Sequence, residues 1–186
     1  MRKLKLQVQM SLDGFVAGPN GELDWMTWEM DDKSKKFVND LTDSVDTILL
    51  GRKMTEGFIS YWTNVKPESE QYPFARKMVE KPKYVFSNTL TKSNWENTTI
   101  VKGDLKEEIN KIKNQNRDKD IIVYGGAAFV SSLIKNNLID EYYLIINPTA
   151  IGKGLRIFDG IESKLSLKLI KSTSFDNGKI VNQYKL

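Results

Sequence analysis

The sequence predicts an α/β fold in which a mixed, mainly parallel sheet lies between two layers of helices. Two short, mostly apolar runs, Thr47–Leu50 and Asp120–Tyr124, end directly in glycine and continue as helical segments, which is typical of buried parallel strands. Near the end of the chain, residues 165–186 form two strand-like segments around Asp176-Asn177-Gly178, which indicates an antiparallel hairpin. Strand–helix alternation followed by a hairpin predicts a three-layer α/β/α arrangement. No linker or repeat interrupts the pattern, so residues 1–186 are predicted to form one domain.

Each predicted element follows from the spacing of its apolar residues. Alternation of apolar and polar residues predicts a first strand over Leu4–Met10, and helical spacing of Phe37 and Leu41 predicts a helix over Asp31–Leu41. The other predicted strands are Thr47–Leu50, Lys83–Ser87, Thr98–Val101, Asp120–Tyr124 and Glu141–Asn147. The other predicted helices are Arg52–Phe58, Leu105–Lys113 and Ala127–Asn136, whereas residues 60–82 have no clear pattern.

The composition narrows the chemistry that this chain can perform. Its 186 residues include neither Cys nor His, which excludes Cys nucleophiles, Ser-His-Asp triads, and zinc sites built on thiolate or imidazole. No metal site is expected. Any reaction must therefore use carboxylates, Lys, Tyr, hydroxyl groups, backbone amides or a bound cofactor.

Charge and hydropathy show no sign of a nucleic-acid site or a membrane span. The net charge of +4 comes largely from lysines interleaved with acidic residues, as over residues 106–120, and this pattern is typical of a solvated helix face. A nucleic-acid site would show a concentrated basic stripe with exposed aromatic residues, which is not seen here. Neither a signal peptide nor a membrane-spanning stretch is recognisable, so the expected location is the cytoplasm.

Two strand-to-helix corners carry residues suited to binding an anion. At Gly51-Arg52-Lys53, glycine lets a ligand approach the backbone, the following amides form a helix N-terminus, and two side chains add positive charge. Gly125-Gly126-Ala127 repeats the arrangement with small residues. Two such corners on one sheet suggest a phosphorylated dinucleotide at the carboxyl ends of the strands. A glycine at such a corner is also a common packing solution, and neither corner is a Walker or GxGxxG motif.

The succession of these segments resembles the dihydrofolate reductase superfamily over nearly the whole chain. The segments that carry the resemblance are Val16-Ala17-Gly18, Trp25, Ile48–Arg52, Val123–Gly126 and Tyr143-Leu144. Two further stretches, Met10–Ala17 and Pro148–Phe158, are similar to the reductase domain of the riboflavin-pathway deaminase-reductase, the RibD C-terminal domain. The resemblance implies a reductase, and its riboflavin-type members imply a homodimer.

The resemblance also implies that NADPH binds across the carboxyl edge of the sheet. Met10, Val16 and Ala17 would meet the nicotinamide. The phosphate groups would lie against the two corners and the end of the next strand. The implied contacts there are Gly51, Arg52 and Lys53 for the diphosphate and 2′-phosphate, Ser87 and Asn88 for the adenosine side, and Gly125, Gly126 and Ala127 for the pyrophosphate.

Three side chains outside this cradle are candidates for catalysis. Trp25 could be a lid that excludes water from the nicotinamide, or it could cap an exposed edge of the core together with Trp28. Asp31 and Asp32 could supply or relay a proton, and either could instead compensate the positive end of a helix.

Two polar segments have open interpretations. Gly152-Lys153-Gly154 could bind a ribityl phosphate, or it could be a loop that shapes a dimer contact. Gln7 and Gln9 place amide groups on one face of an inner strand. Since buried amides need partners, these residues predict a wet pocket or a subunit interface.

The implied function is NADPH-dependent reduction of a small heterocyclic or ribosyl substrate, most similar to 5-amino-6-(5-phosphoribosylamino)uracil reductase. Met54 and Ile145 occupy positions at which folate reductases commonly have threonine, which makes a pterin reductase a weaker alternative. The same two substitutions keep open a non-catalytic NADP(H)-binding protein.

Overall fold

Eight strands and five helices make up the computed structural model, which describes residues 1–186. The strands are β1 (Leu4–Met10), β2 (Val45–Gly51), β3 (Lys83–Phe86), β4 (Thr98–Val101), β5 (Asp120–Val123), β6 (Glu141–Ile146), β7 (Lys168–Ser174) and β8 (Ile180–Lys185). The helices are α1 (Asp32–Asp43), α2 (Arg52–Thr63), α3 (Tyr72–Glu80), α4 (Leu105–Lys113) and α5 (Ala127–Lys135). All strands belong to one sheet in the order β4-β3-β2-β5-β1-β6-β8-β7.

The sheet is mixed in the way that the sequence predicts. The six strands from β4 across to β6 pair in parallel, whereas β8 is antiparallel to β6 and β7 is antiparallel to β8. The carboxyl ends of six strands therefore meet at one edge, with β1 near the centre. The prediction of a mainly parallel sheet with a C-terminal antiparallel hairpin is confirmed.

Helices cover both faces of the sheet and confirm the three-layer prediction. On one face, α4 and α5 pack against β1, β2 and β5 through Ile109, Ile112, Val130 and Leu133. The other face is covered by α1, α2 and α3. Residues of β2 show how one strand serves both layers, because Leu49 points into the first core and Ile48 into the second.

The helices on the second face differ most from the prediction. The helix α2 continues to Thr63, beyond Phe58, because Trp62 also packs against the core. The helix α3 lies in the stretch without a clear pattern, where Pro73 reads as a breaker but occupies the first turn, a position that tolerates proline. No helix in the structure is both long and apolar enough to cross a membrane.

Buried charged side chains form hydrogen bonds and ion pairs at the edge of the sheet where the parallel strands begin. The buried guanidinium of Arg2 donates to Lys119 O at 2.6 Å and to Thr47 Oγ1 at 2.7 Å, and it also pairs with Asp46. Lys5, likewise buried, lies 2.9 Å from the Asp120 carboxylate. These contacts anchor the central strand at the edge opposite the candidate site.

Candidate functional site

The two glycine corners meet in space. A Cβ atom added to Gly51 would lie 2.9 Å from the Cβ of Phe129 and 3.4 Å from the Cα of Gly126. Gly125 and Gly126 also have φ values of +146° and +85°, which side chains other than glycine rarely adopt. The prediction that these glycines serve packing is therefore correct in part, because the two corners can approach each other this closely only without side chains. The contact brings the beginnings of α2 and α5 together.

These two helices begin with free positive ends. Neither α2 nor α5 has a side-chain cap or an acidic residue in its first turn. By contrast, Asp31 caps α1 and Asp104 caps α4. The first amides of α2 and α5 are thus available to an external acceptor, and the helix dipoles favour an anion there.

Arg52 and Lys53 strengthen the positive character of this corner. Both side chains are exposed in the first turn of α2, and neither forms an ion pair within the protein. Cations at a helix N-terminus are unfavourable by themselves because the dipole repels them. A bound phosphate would offset that repulsion, so the residues present fit a phosphorylated ligand.

The end of β3 lies beside this corner, since Phe86 and Gly51 are partners in register. Ser87 is buried, and its Oγ accepts hydrogen bonds from the backbone amides of Leu90 at 3.0 Å and Thr89 at 3.3 Å. The hydroxyl thus shapes the loop, whereas Asn88 is exposed. A contact of Ser87 or Asn88 with a 2′-phosphate stays a prediction.

The segment predicted to meet the nicotinamide is buried and latched in place. Met10, Val16 and Ala17 are all largely inaccessible. Val16 N donates to Leu155 O, and Leu155 N donates to Ala17 O, both at 2.8 Å. The loop after β1 thereby forms a bridge with a segment almost 140 residues away, next to the carboxyl end of β1.

Asp13 completes this latch and holds the start of the Gly152-Lys153-Gly154 loop. Its carboxylate accepts from Ser11 Oγ at 2.6 Å and from Gly152 N at 2.7 Å, and Ile151 N donates to it at 3.1 Å. The hydrogen bond from Ser11, together with those from the two amides, lowers the pKa of Asp13. These two amides are therefore taken by an internal carboxylate, and a phosphate site or a dimer contact at this loop stays a prediction.

The two predicted acids, Asp31 and Asp32, differ in their contacts, and a catalytic role for either stays a prediction. The Asp31 carboxylate accepts from Ser34 Oγ, from Ser34 N at 2.6 Å and from Asp176 N at 2.9 Å. Those contacts, with the Ser34 hydroxyl first, lower the pKa of Asp31 and keep it ionised. Asp32 is exposed in the first turn of α1. The geometry favours helix capping for Asp31, which was the alternative that the sequence left open.

Trp25 and Trp28 lie in the loop before α1. The indole N–H of Trp25 donates to Glu22 O at 3.2 Å, and Trp25 is half-buried. Trp28 is 65% exposed, so it does not cap the core edge. The lid role of Trp25 stays a prediction.

Two amide side chains lie beside the nicotinamide segment, and the sequence indicates only one of them. Oε1 of Gln9, which the sequence singles out, accepts a hydrogen bond from Asn147 Nδ2 at 2.8 Å. Asn147 is not among the predicted site residues, although an asparagine directly after the apolar run of β6 is a visible signal. The bond satisfies part of the Gln9 amide, and a pocket or a subunit interface beside it stays a prediction.

Tyr124 and Phe58 form a wall between α1 and α2. Their rings are stacked with centroids 5.6 Å apart, and the Tyr124 hydroxyl lies 3.4 Å from Thr42 Oγ1 of α1. Burial raises the pKa of Tyr124 to about 12, so the phenol stays neutral. This wall, which the sequence does not predict, links α2 to α1 through Tyr124.

Comparison with known proteins agrees with this architecture. Residues 2–181 match the family model of the RibD C-terminal domain. The Bacillus subtilis protein YyaP is 35% identical over 182 residues, which cover 96% of this chain and 92% of YyaP. YwjB of the same organism is 27% identical over 174 residues, covering 94% and 92%. Both relatives are described as uncharacterized.

Solved structures extend the comparison. A Shewanella sp. PV-4 protein, provisionally assigned to riboflavin biosynthesis, has a TM-score of 0.76 at 25% identity and covers 100% of this chain and 98% of its own. The Thermotoga maritima diaminohydroxyphosphoribosylaminopyrimidine deaminase/5-amino-6-(5-phosphoribosylamino)uracil reductase has a TM-score of 0.68 at 18% identity, covering 99% of this chain and 56% of that enzyme. This chain therefore corresponds to about half of the bifunctional enzyme. The predicted dihydrofolate reductase-like fold is confirmed.

Proposed function

The chain belongs to the RibD C-terminal domain family of reductase-like proteins, and on that basis we propose that it is an NADPH-dependent oxidoreductase. The proposed substrate is a small heterocyclic or ribosyl compound, most similar to that of 5-amino-6-(5-phosphoribosylamino)uracil reductase. The observation that carries the proposal is the meeting of two uncapped helix N-termini beside two unpaired basic side chains. Such a place suits a ligand with several phosphates.

Each part of the site would have a distinct task. Bound NADPH would supply a hydride to the carbon of a C=N or C=O group, while a proton joins the nitrogen or oxygen and NADP⁺ is left. The first amides of α2 and α5 would hold the diphosphate, and Arg52 and Lys53 would pair with the 2′-phosphate. Met10, Val16 and Ala17 would form the wall that orients the nicotinamide and excludes water.

The proton is best assigned to water. Asp31 is ionised and fully engaged as a cap, and the chain has no histidine. Proton transfer through a positioned water is an ordinary form of general acid catalysis.

A non-catalytic NADP(H)-binding protein is the second candidate. The observation that favours it is the use of Asp31 as a helix cap, which removes a carboxylate from proton transfer. Tight binding of NADPH without its oxidation in the presence of aminouracils, pterins and quinones would support this alternative.

A homodimer is also part of the proposal. The outermost strand β7 carries Leu169, which is 52% exposed, and Ile170, which is 48% exposed, along an unpaired edge. Light scattering should give twice the chain mass of 21.3 kDa. A mass equal to one chain would remove the homodimer from the proposal.

The decisive experiment is a pair of nucleotide titrations followed by fluorescence. Replacing Arg52 by alanine should weaken NADPH binding by about 10- to 100-fold and leave NADH binding nearly unchanged, because only NADPH carries the 2′-phosphate. Arg117, an exposed arginine in the loop before β5, provides the matched control. An unchanged preference for NADPH in Arg52→Ala would remove Arg52 from the phosphate site, and failure of the wild type to bind either nucleotide would overturn the proposed function.

A further inference from the structure

Two glutamines interrupt an apolar surface on the central strand. Gln7 and Gln9 are partners in register with Tyr143 and Ile145 of β6, so all four side chains point to the same face. Tyr143 and Ile145 both pack against Phe37 of α1. The two amides therefore lie beneath α1, at the part of the sheet that ends next to the nicotinamide segment.

The amide of Asn147 has only one possible orientation. Its side chain is fully buried, and Nδ2 lies 2.8 Å from Gln9 Oε1 and 3.4 Å from the carbonyl oxygens of Met10 and Ile145. Three acceptors surround this atom, so an oxygen could not take its place without repulsion. Asn147 must donate to Gln9.

This orientation determines what Gln9 presents to a ligand. Because Oε1 of Gln9 already accepts from Asn147, the amide cannot rotate without losing that bond. Its Nε2 makes no hydrogen bond within the protein, and Gln9 is only half-buried. Gln9 thus keeps an N–H donor free on the face of the sheet that α1 covers.

Neighbouring orphan acceptors mark the same place as incomplete. Gln7 Oε1 and Asn147 Oδ1 are both buried without a hydrogen-bond partner. Buried polar atoms are almost always paired in folded proteins. A polar ligand, or water held with it, would provide the missing partners.

We propose that Gln9 is a specificity-determining residue that donates a hydrogen bond to the 2-carbonyl of a pyrimidine ring, and that Asn147 positions it. This inference rests on the proposed function, since it places the substrate ring beside Met10. A carboxylate at this position would accept a hydrogen bond from an N–H group of the ring, whereas the fixed amide pairs with an acceptor. The site should therefore prefer a pyrimidine with an oxo group at position 2 over its 2-amino analogue.

The test compares two probes that differ in one group: 5,6-diaminouracil and its 2-amino analogue, 2,5,6-triaminopyrimidin-4-one. NMR titration of the protein loaded with NADP⁺ should show about tenfold tighter binding of the dioxo ring, because a site built to donate loses a bond with the analogue. The Gln9 side-chain amide resonance should shift on binding. Gln9→Glu should abolish or reverse the preference, and Asn147→Ala should weaken it by freeing the amide to rotate.

Controls separate this inference from misfolding and from the proposed function. Gln71→Glu makes the same chemical change at an exposed position before α3 and should keep the preference. Thermal unfolding of each Gln9 variant is measured first, so that ring preference is compared only between folded proteins. Retention of the dioxo preference in Gln9→Glu, or no binding of either ring by the wild type, would overturn the role of Gln9. If the wild type does not bind NADPH, the proposed function is wrong, and the ring preference can still be measured without nucleotide.

Discussion

Gly51 and Gly126 stand back to back where two helices begin, and a Cβ atom on Gly126 would lie 3.2 Å from the Cα of Gly51. This contact is backbone against backbone, so neither partner can yield by changing a rotamer. It sets the spacing of the two positive helix ends. A change at either glycine should therefore affect stability and phosphate binding together.

Replacing Gly126 by alanine should destabilise the protein by roughly 2 kcal/mol and weaken NADPH binding by about tenfold, because the residue has positive φ and presses on Gly51. Denaturant unfolding and nucleotide titration measure the two effects. Gly21→Ala is the matched control, since Gly21 also has positive φ but open space around it, and it should leave nucleotide affinity unchanged. Equal effects of both substitutions on NADPH binding would contradict the importance of the close approach.

Asp31 should prove to be a helix cap. Asn is an equally good capping residue but cannot act as an acid, so Asp31→Asn should retain turnover within about threefold, whereas Asp31→Ala should lower the melting temperature. Since the folded pKa of Asp31 is depressed, its stabilising contribution is present above the unfolded pKa and is lost as the pH falls through the folded value. A large loss of turnover in the well-folded Asn variant would restore Asp31 as the proton donor.

Removal of the Asp13 carboxylate should release the loop that forms the nicotinamide wall. In Asp13→Ala, the amides of Ile151 and Gly152 lose their acceptor, so their hydrogen exchange should accelerate and NADPH should bind more weakly. Asp24→Ala removes an exposed carboxylate further along the chain, before α1, and serves as the control. Unaltered exchange at residues 151 and 152 would show that the latch does not depend on Asp13.

Lys83 should make the free energy of unfolding increase with pH in the alkaline range. Burial lowers the pKa of its ammonium to about 8, and its Nζ donates only to the carbonyls of Val79 and Lys81. Between this value and the unfolded pKa, the unfolded chain binds more protons, so the free energy of unfolding rises with pH. Relative to Lys83→Met, the wild type should gain roughly 2 kcal/mol between pH 8 and 10. If the difference in unfolding free energy between the wild type and Lys83→Met stays constant from pH 8 to 10, Lys83 does not have this effect.

Several features of the site could be read from short stretches of sequence. The corner at Gly51-Arg52 follows an apolar run, and the turn at Asn177-Gly178 joins two strand-like segments. Such signals are local, because strand burial and turn conformation depend on neighbouring residues. The helix α3 escaped the same reading because Pro73 obscured its start.

Local sequence patterns were sufficient to predict the fold class, the hairpin, the two glycine corners and the absence of thiol and imidazole chemistry. Contacts across the folded chain were needed to show that Asp13 accepts from the amide of Gly152, 139 residues away, and that Asn147 donates to Gln9, 138 residues away. They also assigned Asp31 to a cap that reaches Asp176. The physical reason is that the role of a polar group depends on which donor or acceptor it meets, and those partners are brought together by packing of the sheet rather than by adjacency in the chain.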